Sequence, residues 1–279
     1  MKIRTDNRPS DYEYAVLSHD VYSPKKLKDN VLMTDVPGRP PQKWQVVSIK
    51  TGSRDYFGVI YKNSQTQHLI VAHRGSTGAG SFLEDIQGVF LNADSPQKKD
   101  AYALTQEAMQ MAQENDYTLS FTGHSLGAYL SELSLYFLLS TVNPQDNLES
   151  DVREGAHAVT FESPGSSNTL SGGLLKTHID STGIKESTLD ITTYLSYPNL
   201  INTCNQHVGT VYTLMPDVGG WAQLPGFHLA QVHSMTNILT LFKDHAEKRP
   251  ELVEVKERVE LDVPAAVELP VQVEEPVIV

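Results

Sequence analysis

The pattern of apolar and polar positions divides most of the chain into strand-length and helix-length segments. Short apolar runs rich in Val, Ile, Tyr and Phe are typical of buried strands, and apolar residues at three- and four-residue steps indicate helices. The runs predict strands at 44–50, 56–62, 68–74, 117–121, 156–163, 190–197 and 207–214. The helical steps predict helices at 11–22, 100–113, 126–137 and 229–242.

Strands and helices alternate along most of this order. Such alternation predicts an α/β fold with a largely parallel sheet that is covered by helices on both faces. The polar linker at 63–67 favours a hairpin between two of the strands. The Gly- and Ser-rich stretch at 164–173 is predicted to be a surface loop.

The character of the sequence changes near Ala246. The segment from 246 to 279 is rich in Glu, Val and Pro and contains no aromatic residue. Prolines at this density interrupt helices and central strands, and acidic Val/Pro sequence rarely packs into a core. We therefore expect one folded domain over residues 1–245 and an acidic, disordered or extended tail over 246–279. A solvated terminus is the favoured interpretation of the tail, and a peptide that binds a protein partner is the alternative.

Composition narrows the classes of function. The net charge is −12, from 22 Lys and Arg against 34 Asp and Glu, which argues against nucleic-acid binding and against electrostatic binding to anionic membranes. The single cysteine, Cys204, excludes a disulfide framework, and no Cys/His cluster has the spacing of zinc ligands. No apolar run is long enough to span a bilayer, and the first residues lack the apolar centre of a signal peptide. A cytoplasmic location is therefore expected, with signal-independent secretion left open.

The segment GHSLG at 123–127 is the strongest sign of catalytic chemistry. It fits G-x-S-x-G, a strained turn between a strand and a helix that presents a serine hydroxyl at the top of an α/β-hydrolase sheet. An apolar strand run precedes it and a helical period follows it, which is the order that this turn requires. Ser125 is therefore the predicted nucleophile, and a purely structural glycine turn is the alternative.

A serine hydroxyl needs a base that takes its proton. In α/β-hydrolases the catalytic residues follow the chain order serine, acid, histidine, with the histidine in a loop after the last core strand. His228 and His233 both occupy that part of the chain. We favour His233 because it immediately precedes a helical run that Ser234 is suited to cap.

An ester hydrolase also needs N–H groups that stabilise the oxyanion formed during attack. The amide of Leu126, the residue after the nucleophile, is one predicted donor. The other is predicted at Ser76, in the Gly-rich segment HRGSTGAG (73–80) that follows a predicted strand. A flexible loop or a phosphate cradle is the alternative for this segment, but it lacks a P-loop lysine and fits no dinucleotide fingerprint.

Several of these segments, taken in order, resemble the class 3 lipase family, the fungal triacylglycerol lipase-like α/β-hydrolases. The segments are LIVAHRGSTG, FLEDI, TGHSLGAYLSEL and VTFESPG, and the resemblance covers roughly residues 10–245. It implies an oxyanion hole at the RGS motif (74–76), a nucleophile in GHSLG, and a strand ending in a Phe-x-x-Pro motif, here Phe161 to Pro164. It also implies an α/β-hydrolase fold that cleaves esters of acylglycerols or phospholipids at a membrane or lipid-droplet surface, with no metal or cofactor.

The family often carries a short lid after the RGS loop. Five apolar residues follow that loop here at a spacing that fits either a lid or the buried face of an ordinary helix. They are Phe82, Leu83, Ile86, Val89 and Phe90.

The third catalytic residue is where this sequence departs from the family. The family has an aspartate in a segment resembling V-N-x-x-D, and the nearest match here, INTCN at 201–205, puts Asn205 in the place of the acid. An asparagine oxygen can orient the histidine but cannot stabilise its protonated form with a full charge. Asp217 is the alternative acid. The expected function is lipase-like ester hydrolysis, and the alternative is a catalytically attenuated hydrolase fold that serves as a binding or scaffold protein.

Overall fold

A computed structural model describes residues 8–23, 31–35, 40–76, 96–141, 152, 155–170, 188–196, 199, 201–214 and 233–248. Within these ranges, eight strands form one sheet whose spatial order is the order of the chain. The pairings from β1 to β4 are antiparallel and those from β4 to β8 are parallel. The strands are β1 (Val31–Thr34), β2 (Gln42–Thr51), β3 (Phe57–Asn63), β4 (His68–His73), β5 (Thr118–His124), β6 (His157–Phe161), β7 (Ile191–Leu195) and β8 (Thr210–Thr213).

Helices cover both faces of this sheet. The α-helices in the described ranges are α1 (Asp11–Asp20), α2 (Pro96–Asn115), α3 (Leu126–Thr141), α4 (Ser167–Leu170) and α5 (Met235–Lys248), and a short 3₁₀ turn (Ser53–Asp55) precedes β3. The parallel strands follow one another in one direction across the sheet, and right-handed crossovers then place their connecting helices on a single face. Accordingly α2 and α3 share one face, while α1 and α5, from the two ends of the described chain, cover the other.

The central strands are apolar on both sides because both faces are covered. In β4, Leu69 and Val71 face the side of α2 and α3, whereas Ile70 and Ala72 face α1 and α5. Helix α3 is buried on almost every side, since it lies between the sheet and α2. This arrangement confirms the predicted α/β class, a mostly parallel sheet flanked by helices.

Besides the 3₁₀ turn, the described residues contain two elements that the sequence patterns missed. Strand β1 is a half-exposed edge of four residues, with Val31 and Met33 facing solvent, so it lacks the apolar run on which strands were predicted. Helix α4 is a single turn inside the stretch predicted to be a loop at 164–173. The five residues of the candidate lid lie outside the described residues. The predicted tail also lies outside the described residues, except for its first three positions, because α5 continues to Lys248.

A chain of buried hydrogen bonds ties α1 to the amino-terminal ends of the strands. His157 Nδ1 lies 2.7 Å from the Gly155 carbonyl oxygen, which can only accept, so Nδ1 carries the proton. Burial lowers the pKa of His157 to about 4, which leaves its Nε2 as an acceptor for the Tyr14 hydroxyl at 2.5 Å. Tyr14 then accepts from Ser120 at 2.8 Å, and Ser120 accepts from His68 Nε2 at 2.7 Å.

This chain of hydrogen bonds predicts acid lability. Between pH 6.5 and about 4, His157 becomes protonated in the unfolded chain but stays neutral in the folded protein. The contribution of His157 to the free energy of unfolding is therefore complete above pH 6.5 and decreases as the pH falls below that value. The expected slope is up to about 1.4 kcal/mol per pH unit for this histidine. Urea unfolding from pH 7.5 to 4 measures it, and His157→Gln, whose oxygen can still accept from Tyr14, should show a shallower slope. Equal slopes in the two proteins would contradict the assignment.

Candidate functional site

Ser125 lies on a strained turn between β5 and α3. Its φ is 59°, in the left-handed region that non-glycine residues rarely occupy. The Ser125 amide donates to the Phe161 carbonyl of the neighbouring strand at 3.0 Å, which fixes the turn against the sheet. This is the geometry expected of the predicted nucleophile elbow.

The elbow needs glycine at 127 because α3 approaches β4 closely. A Cβ atom at Gly127 would lie 2.1 Å from the carbonyl oxygen of His73, a backbone atom that cannot rotate away. Gly127→Ala is therefore expected to destabilise the protein by about 3 kcal/mol or more, or to prevent folding. Soluble yield and urea unfolding measure this loss.

Gly155→Ala is the control for that substitution. Gly155 has a φ of 81°, but a Cβ atom there would meet nothing closer than 3.7 Å, so only the backbone strain of about 1 kcal/mol is expected. Equal losses in the two variants would show that the close approach to β4 is not the cause.

His233 lies next to a buried carboxylate at the same edge of the sheet. Its Nδ1 atom is 3.2 Å from Oε2 of Glu162. Glu162 directly follows β6, is fully buried, and has a φ of 51°. Because His124 and Phe161 are partners in the β5–β6 register, Ser125 and Glu162 leave adjacent strands side by side.

The carboxylate of Glu162 is held by further N–H donors. The Ser196 amide donates to Oε1, and the side chains of Asn199 and Asn202 donate to Oε2. Such a carboxylate can hold the Nδ1–H of His233 and leave Nε2 to act as a base. The pair is therefore chemically suited to activate a hydroxyl group.

Asn205 does not meet His233 in the structure. Its Oδ1 accepts from the Asn168 side chain at 2.9 Å, and its Nδ2 lies 3.4 Å from the Gly165 carbonyl. Glu162, which follows β6, is the residue that faces the histidine. Asp217, the second candidate for the acid, and His228, the second candidate for the base, lie outside the described residues.

Sequence reasoning missed Glu162 although the VTFESPG segment carries it. The family pattern favours an acid in the later loop, where Asn205 lies. The available signal was a glutamate at the end of the buried strand that follows the elbow helix. The carboxyl ends of parallel strands lie at one edge of the sheet, so this glutamate lies at the same edge as Ser125. The segment TFESP at 160–164 contains it.

The RGS segment packs directly against the elbow. A Cβ atom at Gly75 would lie 3.1 Å from the Cβ of Ser125. The Gly75 amide itself donates to the Tyr22 hydroxyl at 3.0 Å. The amides of the next residue, Ser76, and of Leu126 at the start of α3 remain the predicted oxyanion donors.

A hydrogen-bond network connects this segment to the loop of His233. His124 Nε2 lies 2.6 Å from the backbone oxygen of His233, and the two rings are 4.7 Å apart. Burial, with the neighbouring His233 as a smaller cause, holds the pKa of His124 well below its usual value. The neutral ring therefore donates from Nε2, and its Nδ1 accepts from the Tyr22 hydroxyl at 3.0 Å. Tyr22 and His124 thus join the turn at Ser125, the RGS segment and the loop of His233.

Two further properties concern the described residues alone. They contain no group of three or more His, Cys, Asp or Glu side chains placed to hold a metal ion. None of their helices combines the length and apolar character needed to cross a membrane.

Comparison with known proteins gives distant similarities. No protein-family model matches this chain. An uncharacterized protein of Rickettsia prowazekii (strain Madrid E) is 27% identical over 178 residues, which cover 61% of this chain and 46% of that protein. The chain therefore spans less than half the length of the curated relative that it matches.

Similar solved structures include fungal lipases. The Rhizomucor miehei triacylglyceride lipase is 13% identical, with 73% of this chain and 78% of that chain covered and a TM-score of 0.49. A triacylglycerol lipase from Penicillium expansum is 17% identical, with 74% and 79% covered and a TM-score of 0.45. Functional conclusions for this chain therefore depend on the geometry of its own site.

Proposed function

We propose that this protein is a serine hydrolase that cleaves carboxylic esters of lipids through an acyl-enzyme on Ser125. The observation that carries the proposal is the contact between His233 and the buried Glu162 at the sheet edge where Ser125 occupies a strained turn. A serine on a strained turn could by itself have a purely structural role, and so could a contact between a histidine and a buried carboxylate. Their presence together at one edge of the sheet supports a hydrolytic triad.

The reaction follows from the roles of these groups. His233 Nε2 takes the proton of the Ser125 hydroxyl as its oxygen attacks the ester carbonyl, and Glu162 stabilises the imidazolium that forms. The amides of Leu126 and Ser76 donate to the oxyanion. His233 then protonates the leaving alcohol, and water, activated by the same nitrogen, releases the acid and restores Ser125.

The lipid class of the substrate is supported by the resemblance of the HRGS and GHSLG segments to class 3 lipases. Acylglycerols and phospholipids are the two substrate classes that this resemblance implies. The scaffold hypothesis depends on Asn205 in the place of the acid. It loses that motivation because Glu162 supplies a carboxylate to His233.

Two measurements test the proposal. A fluorophosphonate probe should label the folded protein, and mass spectrometry should locate the label on Ser125. Hydrolysis of p-nitrophenyl butyrate, emulsified triolein and phosphatidylcholine vesicles should then show release of fatty acid from at least one lipid. Absence of labelling in folded protein would reject the hydrolase, whereas labelling with cleavage of p-nitrophenyl butyrate alone would reject the lipid substrate.

A further inference from the structure

The buried carboxylate of Glu162 accepts from three N–H donors besides His233. Oε2 receives Asn199 Nδ2 at 2.7 Å and Asn202 Nδ2 at 3.2 Å, in addition to His233 Nδ1 at 3.2 Å. Oε1 receives the amide of Ser196. The Ser196 amide and the two asparagine NH₂ groups can only donate, so the carboxylate oxygens accept from all three.

The backbone of the 199–202 turn fixes how both amides point. Oδ1 of Asn199 accepts from the amides of Ile201 and Asn202, at 2.9 and 3.1 Å. Oδ1 of Asn202 accepts from the amide of Asn199 at 2.8 Å. Because both oxygens are occupied by backbone N–H groups, both side-chain NH₂ groups must face Glu162.

Glu162 needs such support, since its φ of 51° is strained for a residue with a side chain. A strained conformation persists only where surrounding contacts determine it. Removal of a donor would let the carboxylate rotate away from His233, although the histidine itself would keep its backbone contact with His124.

We infer that Asn199 and Asn202 are positioning residues, which aim Oε2 of Glu162 at His233 and thereby set the basicity of the catalytic histidine. The inference rests on the proposed function and assigns these two amides a part in it. They touch neither substrate nor nucleophile in this mechanism, and they act through Glu162.

The test uses Asn199→Asp and Asn202→Asp, which keep Oδ1 for the turn and replace the donor with an oxygen that repels Glu162. Asn205→Asp is the matched control, because it makes the same change in the same segment at a side chain bonded to Asn168 instead. The measured quantity is the second-order rate constant of fluorophosphonate labelling of Ser125 between pH 5 and 9.

At pH 7 we expect each of the two variants to lower this rate constant by about 30-fold or more, and the control by less than about threefold. In Asn202→Ser, which removes the donor without adding charge, Glu162 should stabilise the imidazolium less, so the acidic limb of the pH profile should move to lower pH. In a Glu162→Gln background the two substitutions should change the rate by less than about threefold. Rates near wild type, an unmoved acidic limb, or equal losses in both backgrounds would overturn the inference.

Asn202→Ser, which removes the donor without adding charge, replaces any aspartate variant that does not fold. If wild-type protein is not labelled at all, the proposed function fails on its own. The coupling between Asn202 and Glu162 is then measured by urea unfolding of Asn202→Ser, Glu162→Gln and the double variant. Positioning of Glu162 requires the unfolding constant of the double variant to depart at least about fivefold from the product of the single effects.

Discussion

Ser125→Ala is expected to lower the rate of ester hydrolysis by about six orders of magnitude and to abolish fluorophosphonate labelling. The hydroxyl is the atom that forms the acyl-enzyme, and a methyl group cannot replace it. In a serine protease, loss of the nucleophile alone costs about as much as loss of the whole triad. The measurement is kcat on the preferred ester, with labelling followed by intact mass.

Ser140→Ala provides the control in the same helix. Ser140 lies near the end of α3 away from the elbow and bonds to the Phe137 carbonyl at 3.2 Å, so activity and labelling should stay within about twofold of wild type. Labelling that survives Ser125→Ala would show that another residue is the nucleophile. Because Ser125 is in a left-handed conformation, alanine should keep the strain, and unfolding should change little.

Glu162→Gln is expected to lower kcat by about 10⁴-fold with little change in KM. The glutamine has the shape of the glutamate, but it cannot stabilise the imidazolium with a full charge and can present an N–H to Nδ1, which favours the wrong tautomer of His233. The corresponding Asp-to-Asn change in a serine protease has this magnitude. Steady-state kinetics on one soluble ester measure both constants.

Asn205→Ala and Asp217→Ala complete that experiment. Asn205 bonds to Asn168 and Gly165, so its truncation should leave kcat within about threefold. If Asn205→Ala or Asp217→Ala abolished activity in folded protein while Glu162→Gln retained it, the acid would have to be reassigned to that residue. Loss in Glu162→Gln alone would place the acid at the end of β6.

The elbow could be predicted because its determinants are local. Strand, glycine, serine, glycine and helix follow one another within a few residues, and the short distance between α3 and β4 imposes glycine at 127. The general class of the fold could be predicted for the same reason, since the alternation of apolar runs and helical periods reports burial on both faces of the sheet.

The partner of His233 could not be predicted in this way. Glu162 and His233 are 71 positions apart, and their contact exists because the sheet order sets the end of β6 next to the end of β5. The apolar pattern predicted β6 to run to 163, past Glu162, and it does not show which strand ends face the histidine loop. The roles of Asn199 and Asn202 depend on the same geometry, because the segment PNLIN at 198–202 indicates by itself only a turn.

The order of Ser125, Glu162 and His233 along the chain also determines the order in which they are synthesised. Ser125 and Glu162 belong to neighbouring strands on which α3 and the early helices already pack, whereas His233 precedes α5, the last described helix. A ribosome therefore releases Ser125 and Glu162 well before His233. In the folded protein α5 packs beside α1, where the rings of Tyr12 and Phe242 lie 6.5 Å apart. Under the proposed mechanism, a chain that ends before His233 lacks the base, so we expect no hydrolysis from it.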